Sequence, residues 1–299
     1  MASKRVIGVD IGGQHIRAGR VRKGNVERFI TTPTEPDRGQ QAVLDNITRA
    51  IRDAAEGNDI NLIGIGCPGG PIDHEKGIIH RGVNLPFRDL NIVKQFSKLF
   101  NAEVRLDNDA NAFALGEAAY GAGRGYRLVA GITLGTGLGS GIVTGGRIEH
   151  GRGNAGEAGH MKLNYLASDA RTCSCGRKGC VEAYVSAKGI VQTAKERGLR
   201  VRDPEELYEL AKQDDKKAAE AWDETGKHLG AGISSMINLI DPDAIVIGGN
   251  VSKAWKFFSS SMKEYAASES LSDKRPRIRK AKLNHSAIIG AAHLFEGQQ

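Results

Sequence analysis

Apolar positions recur with two periods along this chain, and the changes between them mark its elements. Val6-Ile7-Gly8-Val9-Asp10 is a short apolar run ending in a carboxylate and then Gly12-Gly13, the pattern of a strand followed by a tight turn. Residues 17–21 and 25–30 are two more strands, joined by a turn at Lys23-Gly24. Leu44, Ile47, Ile51 and Ala54 recur at helical spacing. Buried strands are predicted over 62–66 and 104–107, the second leading into a helix over 110–120. The pattern then begins again, with strands over 127–134, 139–144 and 147–149 and a glycine turn after the first. Asp203-Pro204-Glu205-Glu206 carries the cap, first-turn proline and third-position glutamate of a helix start. Trp222, Thr225, Leu229, Ile233, Met236, Ile237 and Ile240 form a long amphipathic stripe that stops at Asp241-Pro242. A strand over 244–247 closes on Gly248-Gly249, and residues 287–295 are helical. Three strands followed by alternating helix and strand imply a mixed α/β sheet. Because that opening occurs twice, two related domains are expected, residues 1–118 and 119–299, facing one another across a cleft.

Composition narrows the class. The 299 residues are 40% hydrophobic and 26% charged, ordinary globular usage that excludes wholesale disorder, and the length supports a core without disulfide staples. Glycine is in excess, 39 residues against a usual share of roughly 7%. Fourteen of them fall between Gly121 and Gly159, so unusual backbone geometry is concentrated there. The net charge of +7 raises the question of nucleic acid. The densest cationic stretch, Lys274 to Lys282, alternates partly with small or apolar residues, as on the wet face of an edge strand, and aromatics are only 5%. No nucleic-acid partner is expected. No apolar run approaches the roughly 18 residues of a membrane span, and Met1-Ala2-Ser3-Lys4-Arg5 leads straight into a strand without a signal-peptide core. A cytoplasmic protein without a membrane partner is expected, with its four cysteines reduced or bound to metal.

Four constellations could carry chemistry. Asp10-Ile11-Gly12-Gly13 and Leu134-Gly135-Thr136-Gly137-Leu138-Gly139 each sit between two strands, where glycine lets backbone N–H groups approach a phosphate; plain hairpin turns would look similar. Neither is a Walker A loop or a dinucleotide fingerprint. Asn108-Asp109-Ala110-Asn111 closes a strand and opens a helix, so Asp109 is either a helix cap or a carboxylate placed to accept a hydroxyl proton. Cys173, Cys175 and Cys180, with His160, suit a closed, structural tetrahedral zinc site, whereas Cys67 is a small buried hydrophobe. Glu157 and Glu182 flank that loop and could brace the metal site or hold a polyhydroxy ligand.

Taken together, the run from Glu157-Ala158-Gly159-His160 through Cys173-x-Cys175-Gly176-x-x-Gly179-Cys180-x-Glu182, with Asn108-Asp109-Ala110-Asn111, Thr133-Leu134-Gly135-Thr136-Gly137 and Ile247-Gly248-Gly249, resembles the ROK family of sugar kinases over nearly the whole chain. The resemblance implies the actin/hexokinase-like fold, two ribonuclease-H-like lobes with mixed sheets around a central cleft. It implies transfer from ATP with Mg²⁺ to a sugar hydroxyl, commonly O6 of a hexose. Asp109 would be the catalytic base and Asp10 would orient the Mg²⁺ shell. Gly12, Gly13, Gln14, Gly135, Thr136 and Gly137 would hold the phosphates, with Gly248 and Gly249 near the adenosine. Asn84, Asn108, Asp109, Glu157, His160 and Glu182 would meet the sugar hydroxyls, and His160 would bind structural Zn²⁺ through its other nitrogen. Glucose is the leading acceptor. Fructose, mannose, N-acetylmannosamine and N-acetylglucosamine are alternatives, as is a non-catalytic sugar sensor; a homodimer is implied. Three departures stand out: Gln14-His15 replaces the usual Thr-Lys, Pro68-Gly69-Gly70-Pro71-Ile72-Asp73 carries one extra residue, and Phe87-Arg88 follows Asn84-Leu85-Pro86 where Gly-Trp is common. Family repressors carry a helix-turn-helix extension before the first strand, which begins here within a few residues of Met1, so a DNA-binding role is disfavoured.

Overall fold

The structure, a computed structural model, describes residues 5–164 and 166–296; Met1 to Lys4, on which the expectation of no leader partly rests, lie outside it. The chain divides into two compact units. The first takes the chain up to Gly131, then Gly141–Gly156, then the segment from Ala281 onward; the second takes Ile132–Ser140 and Glu157–Lys280.

The first unit opens with β1 (Val6–Ile11), β2 (His15–Arg22) and β3 (Asn25–Pro33), followed by α1 (Gln40–Ala55) and β4 (Leu62–Cys67). A small antiparallel sheet of β5 (Ile72–Asp73), β6 (Ile78–Arg81) and β7 (Arg88–Asn91) precedes α2 (Ile92–Phe100), β8 (Glu103–Asn108) and α3 (Asp109–Tyr120). The main sheet runs β3-β2-β1-β4-β8. β2 pairs antiparallel with β1 and β3, whereas β4 lies parallel to β1 and β8. Every residue of β4 is buried, as a parallel strand covered on both faces should be. α1 packs through Val43, Leu44, Ile47, Ala50, Ile51 and Ala54, the stripe its spacing predicts.

The second sheet runs β11-β10-β9-β12-β13, built from β9 (Leu128–Leu134), β10 (Leu138–Thr144), β11 (Arg147–Ile148), β12 (Ala244–Gly248) and β13 (Arg277–Lys280). Numbered within each set, both five-stranded sheets have the order third, second, first, fourth, fifth. The repeated opening in the sequence thus marks a repeated topology. The remaining helices are α4 (Glu182–Val185), α5 (Ala187–Glu196), α6 (Pro204–Lys212), α7 (Lys216–Ile240), α8 (Trp255–Glu269) and α9 (Ser286–His293). Asp203 caps α6 by accepting the Glu206 N–H at 2.9 Å, as its sequence predicts. α7 buries the Trp222–Ile237 face of its stripe, with Ile240 only half-buried at its end, and packs on α8 around Phe258 and Met262. β13 is an edge strand with Arg277, Arg279 and Lys280 exposed and Ile278 turned partly inward. Among the described residues no helix is long and apolar enough to cross a membrane.

α9 lies beyond the expected domain boundary yet belongs to the first unit. Glycine permits this. A methyl group on Gly8 or Gly64 would collide with the α9 backbone at Ile288 or Ala291, and Gly116 and Gly290 let α3 and α9 cross backbone to backbone. Glu117 locks the junction: it is fully buried and accepts the N–H groups of Ala122 at 2.7 Å, Lys282 at 3.2 Å and Leu283 at 3.0 Å and the Ser286 hydroxyl at 2.7 Å.

Candidate active site and metal centre

In the first unit, the carboxyl ends of three parallel strands bring the expected acidic residues together. The register pairs Asp10 with Gly66 and Cys67 with Asn108, so Asp10, Cys67 and Asn108 end adjacent strands, the place where open α/β sheets bind ligands. Cys67 is fully buried. Burial, with the charges of Asp109 and Asp10 beside it, pushes its thiol well above the usual range and keeps it neutral. Asn108 is the cap of α3: its side-chain oxygen accepts the N–H groups of Ala110 at 2.8 Å and Asn111 at 3.3 Å. This corrects the reading of Asp109 as a cap. Asp109 occupies the first helical position, its carboxylate accepting the Ala110 N–H at 2.9 Å.

Asp10 faces Arg17 across the β1–β2 hairpin, with guanidinium and carboxylate 3.3 Å apart. Burial raises its pKa, and Arg17 offsets part of that rise. The Gly12-Gly13 turn is pinned by the Gly12 N–H donating to His15 at 2.9 Å and the Thr34 hydroxyl donating to the Gly12 carbonyl at 2.7 Å. Gln14 and His15 are exposed at that turn. A Cβ on Gly13 would stand 3.1 Å from the Cβ of Asn84, so Asn84, held in the left-handed region at φ 56, borders the turn directly.

In the second unit the Gly135–Gly137 turn, Gly249 and the cysteine loop are wired together. The Gly135 N–H donates to the Gly137 carbonyl at 3.0 Å, and the Ala187 N–H donates to Gly135 at 2.8 Å. Gly249, at φ 83, presses on the Leu134 backbone so closely that any Cβ would collide with it. Glu182 bridges turn and loop: one oxygen accepts the Leu138 N–H at 2.9 Å, the other the Ser174 hydroxyl at 2.6 Å and the Cys173 thiol at 3.2 Å. Burial would raise its pKa, but these hydrogen bonds and the nearby His160 outweigh it and leave the carboxyl below its ordinary value.

The ligating atoms of His160, Cys173, Cys175 and Cys180 all lie within 4.8 Å of one another. Cys175 and Cys180 sulfurs are 3.8 Å apart, and His160 Nδ1 is 3.8 Å from the Cys173 sulfur. Tetrahedral zinc with Zn–S near 2.3 Å requires S···S edges of about 3.8 Å, so three thiols and one imidazole fit the ion. Gly176 and Gly179, at φ 82 and 73, turn the loop back on itself. With Nδ1 toward the sulfurs, His160 directs Nε2 toward Glu157, 3.8 Å away, and both side chains remain accessible.

Two features escaped the sequence reading. Arg17 was legible in hindsight, since a four-residue turn sets it opposite Asp10. Asp107, in contact with His150 at 2.7 Å, was not, because its partner lies 43 residues away.

The ROK family profile matches residues 6–298. A glucokinase from Thermotoga maritima is 32% identical over 281 residues, covering 88% of this chain and 87% of its own. An N-acetyl-D-glucosamine kinase from Histophilus somni is 31% identical over 300 residues, covering 96% and 98%. A ROK-family glucokinase from Streptomyces griseus, solved in complex with glucose and AMPPNP, is 31% identical with a TM-score of 0.83, covering 97% and 99%. The mixed α/β sheets and these matches bear out the expected actin/hexokinase-like fold. The chain belongs to the ROK family.

Proposed function

We propose that this protein is an ATP-dependent hexose kinase, working as a homodimer, with glucose as its preferred acceptor and O6 as the phosphorylated oxygen. The observation that carries the reading is the end of the first sheet, where Asp10 and Asp109 flank buried Cys67 while Asn108 takes over helix capping. Asp109 then remains as a carboxylate at a strand end, able to take the acceptor hydroxyl's proton as its oxygen forms a bond to the terminal phosphorus and ADP leaves. Asp10 would help hold Mg²⁺ at the strand end. The Gly12-Gly13 and Gly135–Gly137 turns, with Thr136, would meet the phosphates, the Gly12 and Gly135 N–H groups being spent on holding the turns' own shape; Gln14 would supply an amide where a hydroxyl is usual, and Gly248-Gly249 would lie beside the adenosine. When bound, Mg²⁺ would supply charge neutralisation to the transferring phosphoryl group. Asn84, Asn108, Glu157, His160 and Glu182 hold sugar hydroxyls, so catalysis rests on positioning and charge compensation.

Support for glucose comes from the glucokinases among the relatives and from the glucose complex of the Streptomyces griseus enzyme. The dimer rests on the family resemblance. The bound metal would be a structural zinc, with no open position for chemistry. ADP release measured over glucose, fructose, mannose, N-acetylmannosamine and N-acetylglucosamine should give the highest kcat/KM with glucose. A higher value with N-acetylglucosamine would replace glucose as acceptor. Sugar binding without ADP release from any of the five would favour a non-catalytic sensor.

A further inference from the structure

Asp107 lies two residues before Asp109 on β8, with a side chain only 5% exposed. One carboxylate oxygen accepts the Asn108 N–H and the Asn111 side-chain amide, both at 2.8 Å. These two partners bracket Asp109 on the first turn of α3. The other oxygen meets His150 Nε2 at 2.7 Å. His150 follows β11, and its carbonyl accepts the N–H groups of Gly153 at 2.8 Å and Ala155 at 3.2 Å, so it also shapes the turn that follows. Its ring lies flat on His74, with centroids 3.6 Å apart and planes 11° from parallel.

We propose that Asp107 and His150 are positioning residues for Asp109, fixing the strand end and the first turn of α3 through one partly buried, His74-backed hydrogen bond. The inference rests on Asp109 being the base. Asp107 reaches Asp109 only through Asn108 and Asn111, and His150 reaches it only through Asp107. Neither is in the proposed set of sugar contacts.

The pair also carries a pH dependence. Burial alone would lower the His150 pKa, but its hydrogen bond to Asp107 and the charges of Asp107, Glu149 and Glu75 outweigh burial and raise it. His74 is stacked on the ring, and Arg105, Arg147 and His293 line the adjacent cavity of about 370 Å³. A raised histidine pKa means the charged pair is complete below the ordinary histidine value near 6.5 and is lost as pH rises through the higher folded value. Above it, a neutral ring can still donate one hydrogen bond but contributes no charge.

The test is the pH profile of glucose phosphorylation for wild type, His150→Gln and His150→Ala, with melting temperatures alongside. Wild-type kcat should fall as pH rises through the His150 titration while the glucose KM changes little. His150→Gln puts an uncharged amide donor near the Nε2 position; it should retain most of the melting temperature, give a lower kcat at acid pH and lose that alkaline fall. His150→Ala should lose on the order of tenfold to a hundredfold in kcat, the scale expected for a misplaced reacting group. A His150→Gln profile matching wild type overturns the proposal, as does an Ala variant that loses melting temperature but keeps kcat. Absence of turnover in the wild type would instead sink the kinase reading, and this inference with it.

Discussion

Glu117 shows how much a single side chain decides in this molecule. A carboxylate buried on a helix of small apolar residues is unfavourable unless it is fully bonded, and four donors meet it here. Three of those donors lie more than 160 residues away, which is why the sequence offered no hint of the junction. Glu117→Ala would leave them without an acceptor, at about 1–3 kcal/mol for each that water cannot reach. We expect a loss of roughly 3 kcal/mol or more in unfolding free energy, measured by urea denaturation; a loss below about 1 kcal/mol would contradict the account. Asn108 and Asp109 teach the complementary lesson. Spacing located the pair at a strand-to-helix joint, but only the geometry showed which of the two caps the helix.

At the scale of elements, periodicity decided only part of what was legible, since the amphipathic helices α2 and α5 were not anticipated. The longer strands of both sheets, α1 and α7 announced themselves through continuous or evenly spaced apolar residues. α8 did not. It buries Phe258 and Met262 together with Ser261 and Ala266 against the glycine face of α7, so its apolar stripe is thin. The small β5-β6-β7 sheet has strands of two to four residues, too short to show a period. The cysteine loop was legible from composition, because three of the four cysteines fall within it. Its bridge to the Gly135–Gly137 turn through Glu182 was not, since that contact spans 44 residues. Metal analysis should find about one zinc per chain. Stripping it with a chelator should lower both the melting temperature and the glucose affinity, since His160 and the Glu182 bridge are anchored to the same four ligands. A metal-free protein with unchanged melting and affinity would refute the site.

At the scale of the whole molecule, the duplicated strand order was visible in the repeat of strand, glycine turn and strand. The return of α9 to the first unit was not, because it depends on close backbone approach at Gly8, Gly64, Gly116 and Gly290. Glycine thus serves two purposes here, turn former between strands and contact surface inside strands and helices, and telling the two apart needs coordinates. Membership of the ROK family ties this architecture to sugar kinases, and the function proposed for it depends on one carboxylate. The most direct test compares wild type and Asp109→Asn, following ADP release with glucose and glucose binding by calorimetry. The account predicts a drop of at least 10²–10⁴-fold in kcat, the usual contribution of a positioned base, with glucose affinity retained within several-fold. An Asp109→Asn protein that turns over at the wild-type rate would contradict it.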